Sequence, residues 1–291
     1  MKKIVILGCE NSHANTFLGY IRDREEYRDV EVVGVYSIER EAAEKLNAEF
    51  GVPVMDNFDD AVGKVDGVVV TARHGGYHAK FTLPYLSTVK AVFIDKPVTI
   101  DEEEAVALMR ECRKYGVKVS GGSCLKYVEE IAAIREDVKG EIAGKTLSGV
   151  VRAPVSYDNE HGGFFFYSEH LIAMLGEAFG WYPQSVRAER RGAVTTTLFH
   201  YPDYTVVGLH TEGFYKYTIS RHSEKAMRNE EFPIAGTSPC FLAEWQEFYS
   251  ILSGNEPHYT EEDIIAPVFI LNAMVRSMES GKEEAVRGFT I

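Results

Sequence analysis

Up to about Ser120 the chain alternates between two hydrophobic periods. Residues 4–7, 30–36, 67–71, 91–94 and 117–120 are short apolar runs, the pattern of strands buried on both faces. Between them, residues 13–23, 39–50, 77–86 and 102–115 carry helical spacing. Gly51 and Gly116 stand where helices end, and Asp101 followed by three Glu marks a helix start, where acids complement the dipole. Pro84 shortens or kinks the third helix. Strands alternating with helices at this spacing predict a parallel, doubly wound α/β sheet. After Ser120 the pattern changes. Residues 126–138 and 167–175 read as helices and 145–157 as a long strand. Three extended runs follow at 193–199, 206–211 and 214–220, then closing helices at 241–252 and 263–279. Strands in succession pair antiparallel, so this half is α+β. The expected domains are therefore 1–120 and 121–291. No Pro/Gly/Ser tract separates them, so they are packed rather than tethered.

Composition narrows the possible functions. The chain has 291 residues, 45% hydrophobic and 26% charged, enough apolar material for two cores. Lys plus Arg number 31 and Asp plus Glu 44, a formal net charge of −13. Such a chain repels phosphate backbones, so no nucleic-acid partner is expected. Cys9, Cys112, Cys124 and Cys240 form no C-x-x-C pair, so neither a zinc knuckle nor a redox pair is implied, and a reducing compartment fits. The apolar run behind Met1, Lys2 and Lys3 is too short for a signal-peptide core. No stretch approaches the ~18 apolar residues of a membrane span. The expected setting is the cytoplasm, with no membrane partner.

In doubly wound sheets, ligands bind at the carboxyl ends of the strands. The first strand runs into Gly8-Cys9-Glu10-Asn11-Ser12-His13. A dinucleotide fingerprint would read G-x-G-x-x-G, but Glu10 and His13 hold the later glycine positions. Gly8 keeps the tight turn, Asn11 or Ser12 can cap the next helix, and its N-terminus favours an anion. At the second strand tip, Ser37 with Arg40 nearby tolerates a 2′-phosphate, a slight lean towards NADP, whereas Glu39 offers an acid for ribose hydroxyls, so NAD and NADP both stay open. Gly75-Gly76 lets backbone approach a ligand. His161, Glu169 and His170 lack the i, i+4 histidine pairing of a helical metal site, so no metal is expected. The aromatic run 164–167 suits a sugar face, a core or a subunit interface. The second sheet has a face left to cover, which favours a homo-oligomer, dimer or tetramer.

At the fourth strand the sequence becomes more specific. Phe93-Ile94-Asp95-Lys96-Pro97-Val98 resembles the E-K-P segment of the glucose–fructose oxidoreductase / inositol dehydrogenase / MocA (Gfo/Idh/MocA) family. The third strand ending at Thr71, His78 opening the next helix, and Gly162-Gly163 followed by His170-Leu171-Ile172 agree in order and spacing, as do the closing helices. The resemblance implies a Rossmann-type domain followed by an α+β domain with an open, mostly antiparallel sheet. It also implies a nicotinamide cofactor and oxidation or reduction of a small sugar, cyclitol or polyol. By that resemblance Asp95, Lys96 and Pro97 lie at the cofactor, with Thr71 and His78 nearby. Lys96 would sit beside the reacting hydroxyl, and His170 would be the general acid/base. An ammonium stabilises developing alkoxide, and a histidine exchanges protons near neutral pH. Three departures stand out. Phe166 replaces an Asp four residues before the histidine, the later glycines of the first turn are gone, with His13 matching a histidine that some members carry, and the turn after the third strand, Thr71-Ala72-Arg73-His74-Gly75-Gly76, lacks the family's proline. They motivate an alternative, a small-molecule binding or regulatory protein that has lost hydride transfer.

Overall fold

The computed structural model describes residues 1–139, 143–233 and 238–291. Five strands, β1 (Lys2–Leu7), β2 (Val30–Tyr36), β3 (Gly67–Val70), β4 (Ala91–Asp95) and β5 (Lys118–Gly122), form a parallel sheet in the order β2-β1-β3-β4-β5. A parallel bridge between Val35 and Val54 extends its edge past β2. The residues of β3 and β4 are buried throughout, which is why these strands read as unbroken apolar runs. The winding reverses on either side of β1, and the carboxyl ends of β1 and β3 therefore flank the crevice where doubly wound sheets hold ligands.

The helices of this unit end where local chemistry dictates. In α4 (Glu102–Tyr115) the Asp101 carboxylate accepts from the Glu104 amide at the N-terminus, and Gly116, at φ 67°, closes the C-terminus. α2 (Arg40–Phe50) ends at Gly51, at φ 72°. Both glycines adopt the left-handed conformation that a side chain disfavours. α1 spans Ser12–Asp23. The helix expected over 77–86 is reduced to one short α-helix, α3 (His78–Thr82), between two 3-10 turns, the second containing Pro84.

The second sheet contains β6 (Thr146–Val155), β7 (Ser185–Arg191), β8 (Val194–His200), β9 (Thr205–Glu212), β10 (Lys216–Ser223), β11 (Met227–Pro233) and β12 (Glu284–Ala285). Their order is β11-β10-β6-β9-β8-β7-β12. Among the described residues only β6 and β9 pair in parallel, so the sheet is mostly antiparallel. β7 and β11 have no apolar run in the sequence. β11 is an edge strand of sequence MRNEEFP, and edge strands carry charge in this way and lose the period-2 signal; β7, paired on its outer side by the two-residue β12, has three arginines among its seven residues. α6 (Phe165–Phe179) is buried from Ser168 to Phe179. Gly149 of β6 gives it room, since a Cβ there would lie 2.1 Å from the Phe179 ring. Arg135 of α5 (Glu129–Lys139) pairs with the buried Glu177 of α6 at 2.7 Å.

Two compact units emerge. One is Met1–Gly122 with Phe241–Ile264 and Ile291, and the other is Ser123–Cys240 with Ile265–Thr290. The expected division into 1–120 and 121–291 therefore needs a correction, because residues 241–264 group with the parallel sheet. The cause is burial. In α7 (Ser238–Leu252), Trp245, Phe248, Ile251 and Leu252 join Ile4, Ile6, Phe17 and Phe93 in one core. Gly67 admits them, as a Cβ there would meet the Leu252 side chain at 2.9 Å. α8 (Glu261–Ser280) follows. Replacing Trp245 by Ala should cost roughly 3–5 kcal/mol, read as a lowered urea midpoint in the circular-dichroism transition.

Candidate functional site

The first turn begins with Gly8 at φ +90°, and a Cβ there would lie 2.2 Å from the Ala72 nitrogen, so only glycine lets β1 and the post-β3 loop approach. The Thr71 hydroxyl donates to the Gly8 carbonyl across the same gap. His78 is fully buried with Nε2 2.8 Å from the Ala72 carbonyl. A carbonyl can only accept, so Nε2 carries the proton, and burial lowers the His78 pKa. His78 thus braces the loop. Further along the loop, the His74 side chain accepts from the Gly76 amide, and a Cβ at Gly75 would meet Pro97 at 2.6 Å. The peptide between Lys96 and Pro97 is cis.

Asp95 is the hub of this edge. It is fully buried, and it accepts from Asn11 Nδ2 at 2.6 Å and from the Lys96 amide at 2.7 Å. The same side chain lies 3.2 Å from His13 Nδ1, and His13 Nε2 lies 3.0 Å from Glu244 Oε2. The His13 ring therefore sits between two buried carboxylates. Burial opposes its charge, but Asp95 and Glu244 outweigh that and raise its pKa to about 10. Burial also pushes the Asp95 carboxyl up, but the His13 charge, with help from Lys96, holds it down at about 2. Lys96 is itself buried beside Asp95.

The second strand tip is organised by Glu10. Its Oε2 accepts from Ser37 Oγ at 2.6 Å and its Oε1 from the Arg73 amide at 3.0 Å. Ser37 Oγ in turn accepts from the Glu39 amide at 3.2 Å. Arg40 stands apart, exposed and paired with Glu44 at 3.1 Å and Asp56 at 3.0 Å. Asn11 occupies the N-cap of α1 but its side chain makes no cap bond, because it is used by Asp95. Ser12 is exposed at the helix start, 3.3 Å from Asn11 Oδ1.

In the second unit, His170 of α6 is buried with Nδ1 2.7 Å from Ser123 Oγ. Ser123 Oγ also accepts from the Leu125 amide at 3.3 Å. The rings of Tyr167 and Tyr217 flank His170 at 5.7 and 6.0 Å. Phe166, where an acid was expected, packs on His161 at 5.1 Å. Asn159 holds the preceding turn, with Oδ1 accepting from the His161 and Gly163 amides and Nδ2 donating to the Gly163 carbonyl. His210 is buried 3.1 Å from the Ser168 carbonyl, and burial lowers its pKa to about 4.

The structure thus gathers Gly8, Asn11, Thr71, His78, Asp95, Lys96 and Pro97 at one sheet edge, with Ser37 beside Glu10, and leaves Arg40 outside. Glu244 and Ser123 are partners that sequence reading missed. Nothing near either residue in the sequence marks it, because each meets its histidine only through the fold. Among the described residues, no group of three or more His, Cys, Asp or Glu side chains is placed to hold a metal ion, and no helix is long and apolar enough to cross a membrane.

This parallel sheet, with its glycine-led first turn, is a doubly wound, Rossmann-type sheet, the architecture in which ligands bind at the carboxyl ends of the strands. Residues 2–123 match the Gfo/Idh/MocA family, described as an oxidoreductase family with an NAD-binding Rossmann fold. A curated relative, glucose-6-phosphate 3-dehydrogenase of Bacillus subtilis (strain 168), is 29% identical over 151 residues, which is 51% of this chain. The match spans 41% of that relative's length. Among solved structures, scyllo-inositol dehydrogenase from Lactobacillus casei with bound NAD(H) and scyllo-inositol is 17% identical. It superposes with a TM-score of 0.86, covering 98% of this chain and 99% of that one. A putative myo-inositol dehydrogenase from Sinorhizobium meliloti 1021 is 16% identical, with a TM-score of 0.84 and coverage of 99% and 100%. At these identities the likeness is one of fold, and it extends along nearly the whole chain.

The His13 pKa lies above its ordinary 6.5, so the stabilisation it brings is complete below pH 6.5 and is lost as pH rises through about 10. Asp95 behaves in the opposite sense, contributing fully above its ordinary 3.8 and losing its contribution as pH falls through about 2. Substituting His13→Gln leaves two buried carboxylates without their cation and should cost roughly 3–5 kcal/mol. Urea midpoints measured from pH 6 to pH 10 should fall for the parent protein and stay flatter for the variant.

Proposed function

We propose that the protein is a nicotinamide-dependent oxidoreductase that interconverts a hydroxyl and a carbonyl on a small sugar- or cyclitol-like molecule. The observation that carries this reading is the buried Lys96, anchored through Asp95 at the strand edge of a segment that matches an NAD-binding oxidoreductase family. The relatives' names support the substrate class, since one acts on glucose 6-phosphate and another was crystallised with scyllo-inositol.

The chain offers suitable groups for a dinucleotide. Gly8 forms the tight turn, the N-terminus of α1 is uncapped by the Asn11 side chain, and the Ser12 hydroxyl is exposed beside it. A helix N-terminus of this kind suits a diphosphate. When bound, the nicotinamide supplies a two-electron acceptor or donor. Lys96 stabilises the negative charge that develops on the substrate oxygen. His170 takes the hydroxyl proton in the oxidative direction and returns it in the reductive one, through Nε2.

Ser123 is the positioning residue for His170. Its hydroxyl can donate to Nδ1 or accept from it, so either neutral tautomer is held in the same orientation. A carboxylate partner would instead favour the charged imidazolium. The hydroxyl thus orients His170 in a chain that has Phe166 four residues before it.

Turnover is tested by screening sugars and cyclitols for substrate-dependent change in nicotinamide absorbance. Lys96→Ala and His170→Ala should each lower kcat at least a hundredfold with the fold intact. A catalytically silent protein that still binds such molecules would favour the alternative of a binding or regulatory role. Ser123→Ala should reduce kcat/KM about tenfold, the equivalent of one hydrogen bond, and shift the pH–rate profile. Ser123→Thr should restore both.

A further inference from the structure

We propose that Glu10 is the acid that reads the adenosine ribose, and that it makes the protein select NAD(H) over NADP(H). The inference rests on the dinucleotide-binding reading above. In doubly wound dinucleotide domains, an acid near the tip of the second strand holds the ribose 2′-hydroxyl, and an arginine there accommodates a 2′-phosphate instead. Here the tip of β2 carries Ser37, which is neutral and buried. The negative charge arrives from another element, because Glu10, two residues beyond Gly8, reaches back over the end of β1.

Glu10 is held at two points. Oε2 accepts from Ser37 Oγ at 2.6 Å and Oε1 accepts from the Arg73 amide at 3.0 Å. Both donor groups, a hydroxyl and a main-chain amide, are neutral and orient the carboxylate. An ionised carboxylate has about four acceptor positions, and these two bonds leave capacity for ribose hydroxyls. The same charge repels a 2′-phosphate. Arg40, the cation closest in sequence to this tip, is committed to Glu44 and Asp56 on the exposed side of α2. The glycine missing from the first turn is thus replaced by the group that the second strand tip lacks.

The test is a calorimetric titration of the full chain with NADH and with NADPH. The proposal expects NADH to bind at least tenfold more tightly. Glu10→Gln, which keeps an acceptor for Ser37 or Arg73 but loses the charge, should bring the ratio of the two Kd values at least tenfold closer to one. Glu10→Asp should keep the preference. A second measurement needs no variant. Repulsion is screened by salt, so the parent protein's discrimination should narrow as ionic strength rises. Equal binding of both dinucleotides by the parent, an unchanged ratio in Glu10→Gln, or discrimination that widens with salt would overturn the role of Glu10 and leave the oxidoreductase reading standing. Binding of neither dinucleotide would overturn both.

Discussion

The buried His13 ring between Asp95 and Glu244 is the contact on which the first unit depends. Three segments far apart in sequence meet there: the start of α1, the end of β4 and α7. Buried ions are costly unless paired, and removing one partner of such a set leaves an uncompensated charge. The arrangement therefore holds only when all three elements are in place. It also explains a departure in the first turn. His13 takes the position of the last fingerprint glycine, where close helix packing would otherwise need no side chain. Its ring is accommodated because Asp95 and Glu244 meet its two nitrogens, with Phe241 packed 4.3 Å away.

From this anchor the candidate site is built outward by hydrogen bonds. Asp95 holds the Lys96 amide and the Asn11 side chain, which fixes the D-K-P turn against the first turn. Thr71, His78 and Gly8 then clamp the post-β3 loop. Glu10 closes the edge between the tips of β2 and β3. Each bond uses a residue whose type is explained by the geometry, and the polar groups that face one another are complementary in charge or in donor and acceptor. In the second unit the logic is the same but neutral. His210 is kept uncharged and pins α6 to β9 through the Ser168 carbonyl, and Ser123 orients His170.

Much of the fold was legible because it rests on local rules. The strands of the parallel sheet are apolar on both faces, the helices between them are closed by Gly51 and Gly116 or opened by Asp101, and the D-K-P motif falls at a strand end. β11, a charged edge strand, and β7, which carries three arginines, were not legible, since each shows too little apolar periodicity. The 3-10 turns around α3 blurred a helix that Pro84 had already shortened. Of the candidate residues, Gly8, Thr71 and Asp95 were drawn in by their positions at strand ends, and they lie at the carboxyl edge of the parallel sheet. Arg40 was drawn in by proximity in sequence, yet on the exposed start of α2 its guanidinium finds carboxylates of its own.

The sequence by itself determined the alternation of strand and helix, the change of pattern near Ser120, and the family resemblance carried by Asp95, Lys96 and Pro97. These depend on periodicity, caps and short motifs, all of which act over a few residues. Only the tertiary structure decided that residues 241–264 pack with the parallel sheet, that His13 is a charged brace and His78 a neutral one, that Ser123 partners His170, and that Glu10 lies at the tip of β2. The physical reason is the same in each case. A buried charge or hydrogen bond is defined by the partner it meets, and these partners lie between 6 and 231 residues away along the chain.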